Sequence, residues 1–63
     1  MTEREIYRAI NEYRVMLIGL HRDFMLERDP EIKVLIKENI DLALDNIRLC
    51  KRLLSLKREL GEI

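Results

Sequence analysis

The amino-acid sequence predicts an all-α protein, an antiparallel two-helix hairpin that dimerises into a four-helix bundle. Three features predict this fold: a helix-capping motif opens the chain, apolar residues recur at alternating spacings of four and three, and an Asp-Pro pair separates two halves. We expect a single helical-hairpin domain over residues 1–63. Helix 1 should span about 3–27, the turn 28–30 and helix 2 about 31–60.

Helix 1 should begin almost at the first residue. Thr2 suits the N-cap position, and Glu5 three residues later completes the Ser/Thr-x-x-Glu capping box, in which each side chain accepts a hydrogen bond from the other residue's backbone N–H. The apolar residues that follow have the spacing of heptad positions a and d, which predicts a seam toward a second helix. These residues are Ile6, Ile10, Tyr13, Leu17, Leu20 and Phe24.

The turn at 28–30 is predicted from the stretch 28–31, Arg-Asp-Pro-Glu. Helical geometry is disfavoured for a residue that precedes proline, so helix 1 should end before Pro30. Asp29 suits the N-cap of helix 2, Pro30 suits its first helical position, and Glu31 lies at the positive end of the helix dipole. Gly61 suits the cap at the far end of helix 2.

Helix 2 carries more apolar surface than a two-helix hairpin can cover. Its seam is Ile36, Ile40, Ala43, Ile47, Cys50 and Leu54. With Ile36 taken as heptad position d, a further apolar column lies at position c, formed by Leu35, Leu42, Leu49, Leu56 and Ile63. Another lies at position g, formed by Ile32, Leu53 and Leu60. Together with the seam, these columns form a stripe too wide for one neighbouring helix.

A second copy of the chain is the simplest cover for this stripe. A chain of 63 residues has a marginal core, and it has one cysteine and one histidine, so neither a disulfide nor a structural zinc site is expected. We therefore expect a homodimer. Its interface should be formed by Leu35, Leu42, Leu49, Leu53 and Leu56. The alternative is that the same apolar surface binds a different protein.

Two asparagines, Asn39 and Asn46, interrupt the apolar stripe at position g. Buried polar residues at such positions can fix the register or the number of helices in a bundle. Asparagines at the rim of a bundle would instead meet water. The sequence leaves both interpretations open.

The charged residues are segregated along the chain although the net charge is zero. Residues 23–47 hold seven acidic and three basic residues, and the remainder holds nine basic and five acidic ones. A hairpin then has an acidic turn and a basic open end, with Arg4 and Arg8 expected beside the stretch 51–55. Two interpretations compete: the basic end binds the phosphates of RNA or DNA, or it contacts the acidic turn of a second copy. The phosphate contacts would come from Arg4, Arg8, Arg48, Lys51, Arg52 and Arg58.

No group of residues in the sequence supports catalysis. His21 is isolated at heptad position e, and Cys50 lies in the seam, where it should act as a small buried apolar side chain. We predict no catalytic residue, no metal site and no cofactor, because no phosphate-binding glycine loop or metal-ligand motif is present. No apolar segment approaches the ~20 residues that cross a bilayer, and no secretion signal is found, so we expect a cytoplasmic protein without membrane contact.

The predicted architecture resembles that of the Rop family of plasmid copy-number regulators, short antiparallel hairpins that dimerise into four-helix bundles. That family binds RNA through the outer face of its first helices, where this sequence has Arg4, Arg8, Val15 and Arg22. The stretch 37–41, Lys-Glu-Asn-Ile-Asp, is similar in its last two positions to the Ser-Gln-Glu-Leu-Asp motif of small aspartyl-phosphate phosphatases, which are also helical hairpins. The first resemblance implies RNA binding, and the second implies action on a response regulator.

The function that the sequence favours is that of a small non-enzymatic regulatory or adaptor protein. It would bind another protein as a homodimeric helical bundle. The alternatives are binding of RNA or DNA through the basic open end and phosphatase-like action on a response regulator.

Overall fold

The chain forms two α-helices that pack against each other as an antiparallel hairpin. In the computed structural model, which describes residues 1–61, helix α1 spans Glu3–Leu26 and helix α2 spans Pro30–Glu59. The predicted all-α hairpin is confirmed, and the observed helix ends lie within one residue of the expected ones. The molecule is a rod of 49 × 15 × 13 Å. Ile63, which the sequence places in the apolar column at position c, lies outside the described residues.

Helix α1 begins with the predicted capping box. The hydroxyl of Thr2 accepts a hydrogen bond from the backbone N–H of Glu5, and the Glu5 carboxylate accepts one from the backbone N–H of Thr2. These bonds satisfy donors that have no partner inside the helix. The helix starts at this point because the cap residue itself has extended backbone geometry.

The connection between the helices is fixed by two carboxylates. Oε1 of Glu27 accepts hydrogen bonds from the backbone N–H groups of Arg28 at 3.0 Å and Asp29 at 3.1 Å. The Asp29 carboxylate then accepts from the backbone N–H of Glu31 at 2.9 Å, and Pro30 occupies the first turn of α2, as predicted. The role of Glu27 was not predicted from the sequence. It holds the turn because its carboxylate occupies both N–H groups of the linker.

The far end of α2 has the predicted glycine cap. Gly61 has a φ of +74°, which glycine adopts at little steric cost, and its N–H donates to the carbonyl of Arg58 at 3.1 Å. Lys57 and Arg58 lie in the last helical turn, where positive charge interacts favourably with the helix dipole.

The core is deepest toward the open end of the hairpin. Four seam residues, Ile6, Ile10, Ile47 and Leu54, form the buried cluster. Tyr13, Leu17, Cys50 and Leu53 are partly buried and pack against it. Nearer the turn, Leu20, Phe24 and Ile36 are only half-buried, although Ile40 and Ala43 are buried. The seam predicted from the spacing therefore forms, but with unequal depth.

The hairpin exposes more surface than a compact protein of its mass. Its accessible surface is 5238 Å² for 7.6 kDa. A compact monomer of this mass exposes about 4300 Å². The radius of gyration of 14.7 Å likewise exceeds the roughly 11 Å expected of a globular domain of this length. A pair of helices has one seam to bury, so most of both helices remains in contact with solvent.

Candidate functional site

The first candidate surface is the leucine face, which we define as Leu35, Leu42, Leu49, Leu53 and Leu56. Four of these side chains are exposed in the hairpin, by 58, 60, 62 and 44% for Leu35, Leu42, Leu49 and Leu56 respectively. Leu53 differs from them because it is half-buried and packs against the core. The hairpin therefore leaves four large side chains, one every two turns, without apolar cover on one side of α2.

Asn46 lies within this surface. It is half-buried, and it follows Leu42 by four residues and precedes Leu49 by three, so it lies between them on the helix. Asn39 is exposed. Of the two asparagines that interrupt the apolar stripe, Asn46 is thus the one that the hairpin already draws partly out of water.

The second candidate surface is a cleft at the open end, which we call the open-end cleft. It has a volume of about 300 Å³. Its lining residues are Tyr7, Ile10 and Arg14 from α1 and Lys51, Leu54, Ser55 and Arg58 from α2. The two buried aliphatic side chains form its floor. Three cationic and two hydroxyl groups surround that floor, and no carboxylate of residues 1–61 lines the cleft.

A hydrogen-bond network orients one of the three cations. Nη2 of Arg58 donates to the hydroxyl oxygen of Tyr7 at 2.8 Å and to Oε1 of Glu3 at 3.4 Å. The pKa of the Arg58 guanidinium is raised above its ordinary value, first by its charge interaction with Tyr7 and then by the hydrogen bond with Glu3. The ion pair is solvent-exposed, so it adds little to stability. The network joins the first turns of α1 to the last turn of α2.

The six basic residues predicted for phosphate contact do not form one site. Lys51 and Arg58 line the open-end cleft. Arg4, Arg8, Arg48 and Arg52 are exposed and lie outside it, and Arg48 pairs with Asp45 at 3.1 Å. The residues of α1 that line the cleft opposite Lys51, Leu54 and Ser55 are Tyr7, Ile10 and Arg14, and Arg4 and Arg8, which we expected beside the stretch 51–55, are not among them.

The heptad register explains which residues meet at the open-end cleft. Tyr7, Arg14, Lys51 and Arg58 all occupy position e, which flanks the seam on one side of the hairpin. The four basic residues outside the cleft occupy positions b and f, which face away from the seam. Arg14 and Tyr7 were not among the predicted site residues, and the heptad position that they share with Lys51 and Arg58 was the signal that could have identified them.

A smaller cleft lies nearer the turn on the same side. It has a volume of about 220 Å³. Its lining residues are His21, Phe24, Lys37, Ile40 and Asp41. The ammonium group of Lys33 lies 4.7 Å from the centre of the nearby Phe24 ring. The carboxylate of Asp41 offsets the charge of Lys37, so this cleft is less suited to an anion than the open-end cleft.

The outer strip, which we define as Val15, Ile18 and Met25 of α1, is a third apolar feature. These side chains are exposed by 61, 67 and 79%. They occupy heptad positions b and f, on the face of α1 away from α2. This strip was not predicted from the sequence, although spacings of three and seven residues place side chains on one face of a helix.

Within residues 1–61, no group of three or more His, Cys, Asp or Glu side chains is placed to hold a metal ion. Neither helix has the length and apolar character needed to cross a bilayer. Comparison with protein-family models, with curated proteins and with solved structures finds no match to this chain.

Proposed function

We propose that this chain is a non-enzymatic protein-binding module whose first partner is a second copy of itself, with the leucine face as the interface. The observation that carries the proposal is the exposure of Leu35, Leu42, Leu49 and Leu56 at seven-residue intervals along α2. Complete burial of such a side chain contributes about 1.5–3 kcal/mol, and because these leucines are about half exposed in the hairpin, a contact along the column would gain about half of that at each of them. The product would be an antiparallel four-helix bundle.

The extra surface that the hairpin exposes is about the area that one protein–protein contact buries. The hairpin exposes 5238 Å², roughly 900 Å² more than a compact monomer of the same mass. A standard protein–protein interface buries about 800 Å² on each partner. One contact of ordinary size along α2 would therefore bring the exposed surface per chain close to that of a compact protein.

The position of the leucines supports a two-fold pairing. In an antiparallel contact centred on the column, Leu42 would face Leu49 of the partner subunit and Leu35 would face the partner's Leu56. Asn46 would then lie at the two-fold axis beside Asn46 of the partner subunit. Two amides that pair there would fix the register of the helices, because any shift would leave them buried without hydrogen bonds.

The charge distribution supports the same orientation. Residues 23–47 carry a net negative charge, and the remainder of the chain carries a net positive one. Antiparallel pairing would place each acidic turn near the basic open end of the other copy, whereas parallel pairing would bring like charges together. Such complementarity favours one orientation over the other.

We also propose that the dimer acts as an adaptor or regulator by binding another protein through the outer strip. The outer strip lies on the back of α1, and the pairing along α2 would leave it uncovered. Val15 and Ile18 are adjacent on this face and Met25 lies two turns further along it, and apolar side chains with this exposure could contact an apolar helix of another protein. The dimer would present two such strips, one on each α1.

Mass measurement by sedimentation equilibrium at micromolar concentration tests the dimer. We expect twice the chain mass of 7.6 kDa for the unaltered protein. Leu49→Asp should dissociate the dimer and remove much of the helical circular dichroism, because it places a charge inside the interface. A chain mass of 7.6 kDa for the unaltered protein would overturn the proposal, and a mass above the dimer would contradict a closed two-fold pairing.

Ile18→Asp is the matched control. Both changes place aspartate in the middle of a helix, and the two original side chains are similarly exposed, by 62% at Leu49 and 67% at Ile18. The loss of helix propensity differs between the two variants by only a few tenths of a kcal/mol, about the difference between leucine and isoleucine. We expect the Ile18 variant to keep the dimer mass, and dissociation of both variants would show that the leucine face has no special role.

A further inference from the structure

Two of the three cations of the open-end cleft, Arg14 and Lys51, have no counter-charge in the described part of the chain, whereas Arg58 pairs with Glu3. Arg14 and Lys51 form no ion pair or hydrogen bond with any described residue. Nη2 of Arg58 donates to both Tyr7 and Glu3. The other N–H groups of this guanidinium donate to no residue among 1–61 and could bind a ligand. Like charges that share a cleft repel one another, and a bound anion would remove that repulsion.

The donors around the cleft match a phosphate group. A guanidinium donates two parallel hydrogen bonds to phosphate oxygens, and an ammonium group supplies a compact charge. The hydroxyl oxygen of Tyr7 accepts from Arg58, which leaves the hydroxyl proton available to donate, and Ser55 supplies a second hydroxyl. Among residues 1–61, no carboxylate lines the cleft, and Glu3, which binds Arg58, lies outside its lining.

The remainder of the cleft suits an apolar ring. Ile10 and Leu54 form an aliphatic floor, and the half-exposed ring of Tyr7 stands at its edge. A volume of about 300 Å³ is at the lower end of the range for small-ligand sites. Aromatic side chains among cations are the usual means of holding a base and its phosphate together.

We propose that the open-end cleft binds the phosphate group of a nucleotide, with Arg14, Lys51 and Arg58 as the cationic contacts and the Ile10–Leu54 floor under the nucleoside. The nucleotide is either free or part of a single-stranded nucleic acid, since both present the same chemistry. This site involves fewer basic residues than the phosphate contact predicted along the whole basic end. It does not include Arg4, Arg8, Arg48 or Arg52.

The site does not rest on the proposed dimer. Position e and positions g and c lie on opposite sides of the seam, so the open-end cleft and the leucine face are on opposite sides of α2. Binding at the cleft therefore remains possible when the leucine face is covered. Failure of one proposal leaves the other unaffected.

Titration followed by amide NMR at low salt tests the cleft with four probes: AMP, adenosine, inorganic phosphate and a short single-stranded DNA. We expect AMP or the DNA to shift the amide signals of Tyr7, Arg14, Lys51, Ser55 and Arg58, and adenosine and inorganic phosphate to bind at least about tenfold more weakly. Binding of AMP identifies a free nucleotide, whereas binding of DNA alone identifies a nucleotide within a strand.

Arg14→Glu and Arg8→Glu form a matched pair of variants. Both replace an exposed arginine of α1 and change the net charge equally, but only Arg14 lines the cleft. We expect Arg14→Glu to weaken binding about tenfold or more and Arg8→Glu to change it by less than about twofold. Lys51→Gln, a milder change on the other helix, should also weaken binding.

Three results would overturn the proposal. The first is the absence of shifts with both AMP and DNA at millimolar concentration. The second is equal weakening in the Arg14 and Arg8 variants, which would indicate attraction by the basic end as a whole. The third is binding of inorganic phosphate as tight as that of AMP, which would show that the floor contacts no nucleoside.

Discussion

The hydroxyl oxygen of Thr2 lies 3.2 Å from the backbone nitrogen of Glu5, and Oε1 of Glu5 lies 3.1 Å from that same hydroxyl. The Glu5 carboxylate also accepts from the backbone N–H of Thr2 at 3.4 Å. The two residues therefore fix each other at the start of α1. The pKa of Glu5 is lowered, first by the side-chain hydrogen bond from Thr2 and then by the bond from its backbone N–H.

The start of α1 should therefore lose stability in acid. Because the folded-state pKa of Glu5 lies below its ordinary value of 4.5, the contribution of its carboxylate is complete above that value. It is lost as the pH falls through the folded-state pKa, since the protonated acid is a poorer acceptor. Carboxyl carbon NMR should show Glu5 titrating below 4.5, with amide exchange in the first turn accelerating over the same range.

Thr2→Ala is the control for this pH dependence. The variant removes the hydroxyl and with it the main cause of the lowered pKa. Glu5 should then titrate closer to its ordinary value. Titration of Glu5 at or above the ordinary value in the unaltered protein would contradict the capping-box explanation.

The cap at the turn should contribute measurably to stability. Asp29→Ala removes the acceptor for the backbone N–H of Glu31, and we expect it to lower the free energy of unfolding by about 0.5–2 kcal/mol. Asp29→Ser keeps an acceptor at the same position and should restore most of the loss. Urea unfolding at fixed protein concentration measures both changes, and equal loss in the two variants would exclude capping as the cause.

The buried end of the seam should be more sensitive to truncation than the exposed surface. Ile6 is completely buried, and Ile6→Ala should lower the free energy of unfolding by about 2–5 kcal/mol, which is a large fraction of the stability of a small domain. Ile18→Ala makes the same change at a side chain that is 67% exposed, and it should cost less than about 0.5 kcal/mol. Thermal unfolding followed by circular dichroism would show whether the two variants differ in this way.

The elements that the sequence predicted well are those determined by neighbouring residues. The capping box at Thr2, the Asp29-Pro30 helix start and the glycine cap at Gly61 each depend on contacts within about one helical turn. The seam can also be predicted from the sequence, because spacings of four and three residues place its members on one face of the helix. This holds regardless of which helix packs against that face.

The open-end cleft was not predicted because it depends on contacts between distant parts of the chain. Tyr7 and Arg58 are fifty-one positions apart, and their hydrogen bond requires the register of one helix against the other. Grouping the basic residues by position along the chain placed Arg4 and Arg8 with the stretch 51–55. Grouping the basic residues of the open end by heptad position would have selected Arg14, Lys51 and Arg58, which all occupy position e.

The role of Glu27 was missed for a different reason. Its carboxylate holds the turn by accepting from two consecutive backbone N–H groups, which requires a particular side-chain rotamer after the helix has ended. Sequence patterns for helix ends give a preferred residue type for each position near the end of the helix. Glutamate is not a preferred residue at the position that Glu27 occupies, so no pattern pointed to it.

The antiparallel arrangement of α1 and α2 has a practical consequence for how the molecule is handled. Thr2 and Gly61 lie at the same end of a rod 49 Å long, next to the open-end cleft. A fusion partner, affinity tag or fluorophore joined to either terminus would crowd that cleft and leave the turn untouched. Surface immobilisation and labelling are therefore better directed to the turn around Arg28, at the opposite end of the rod.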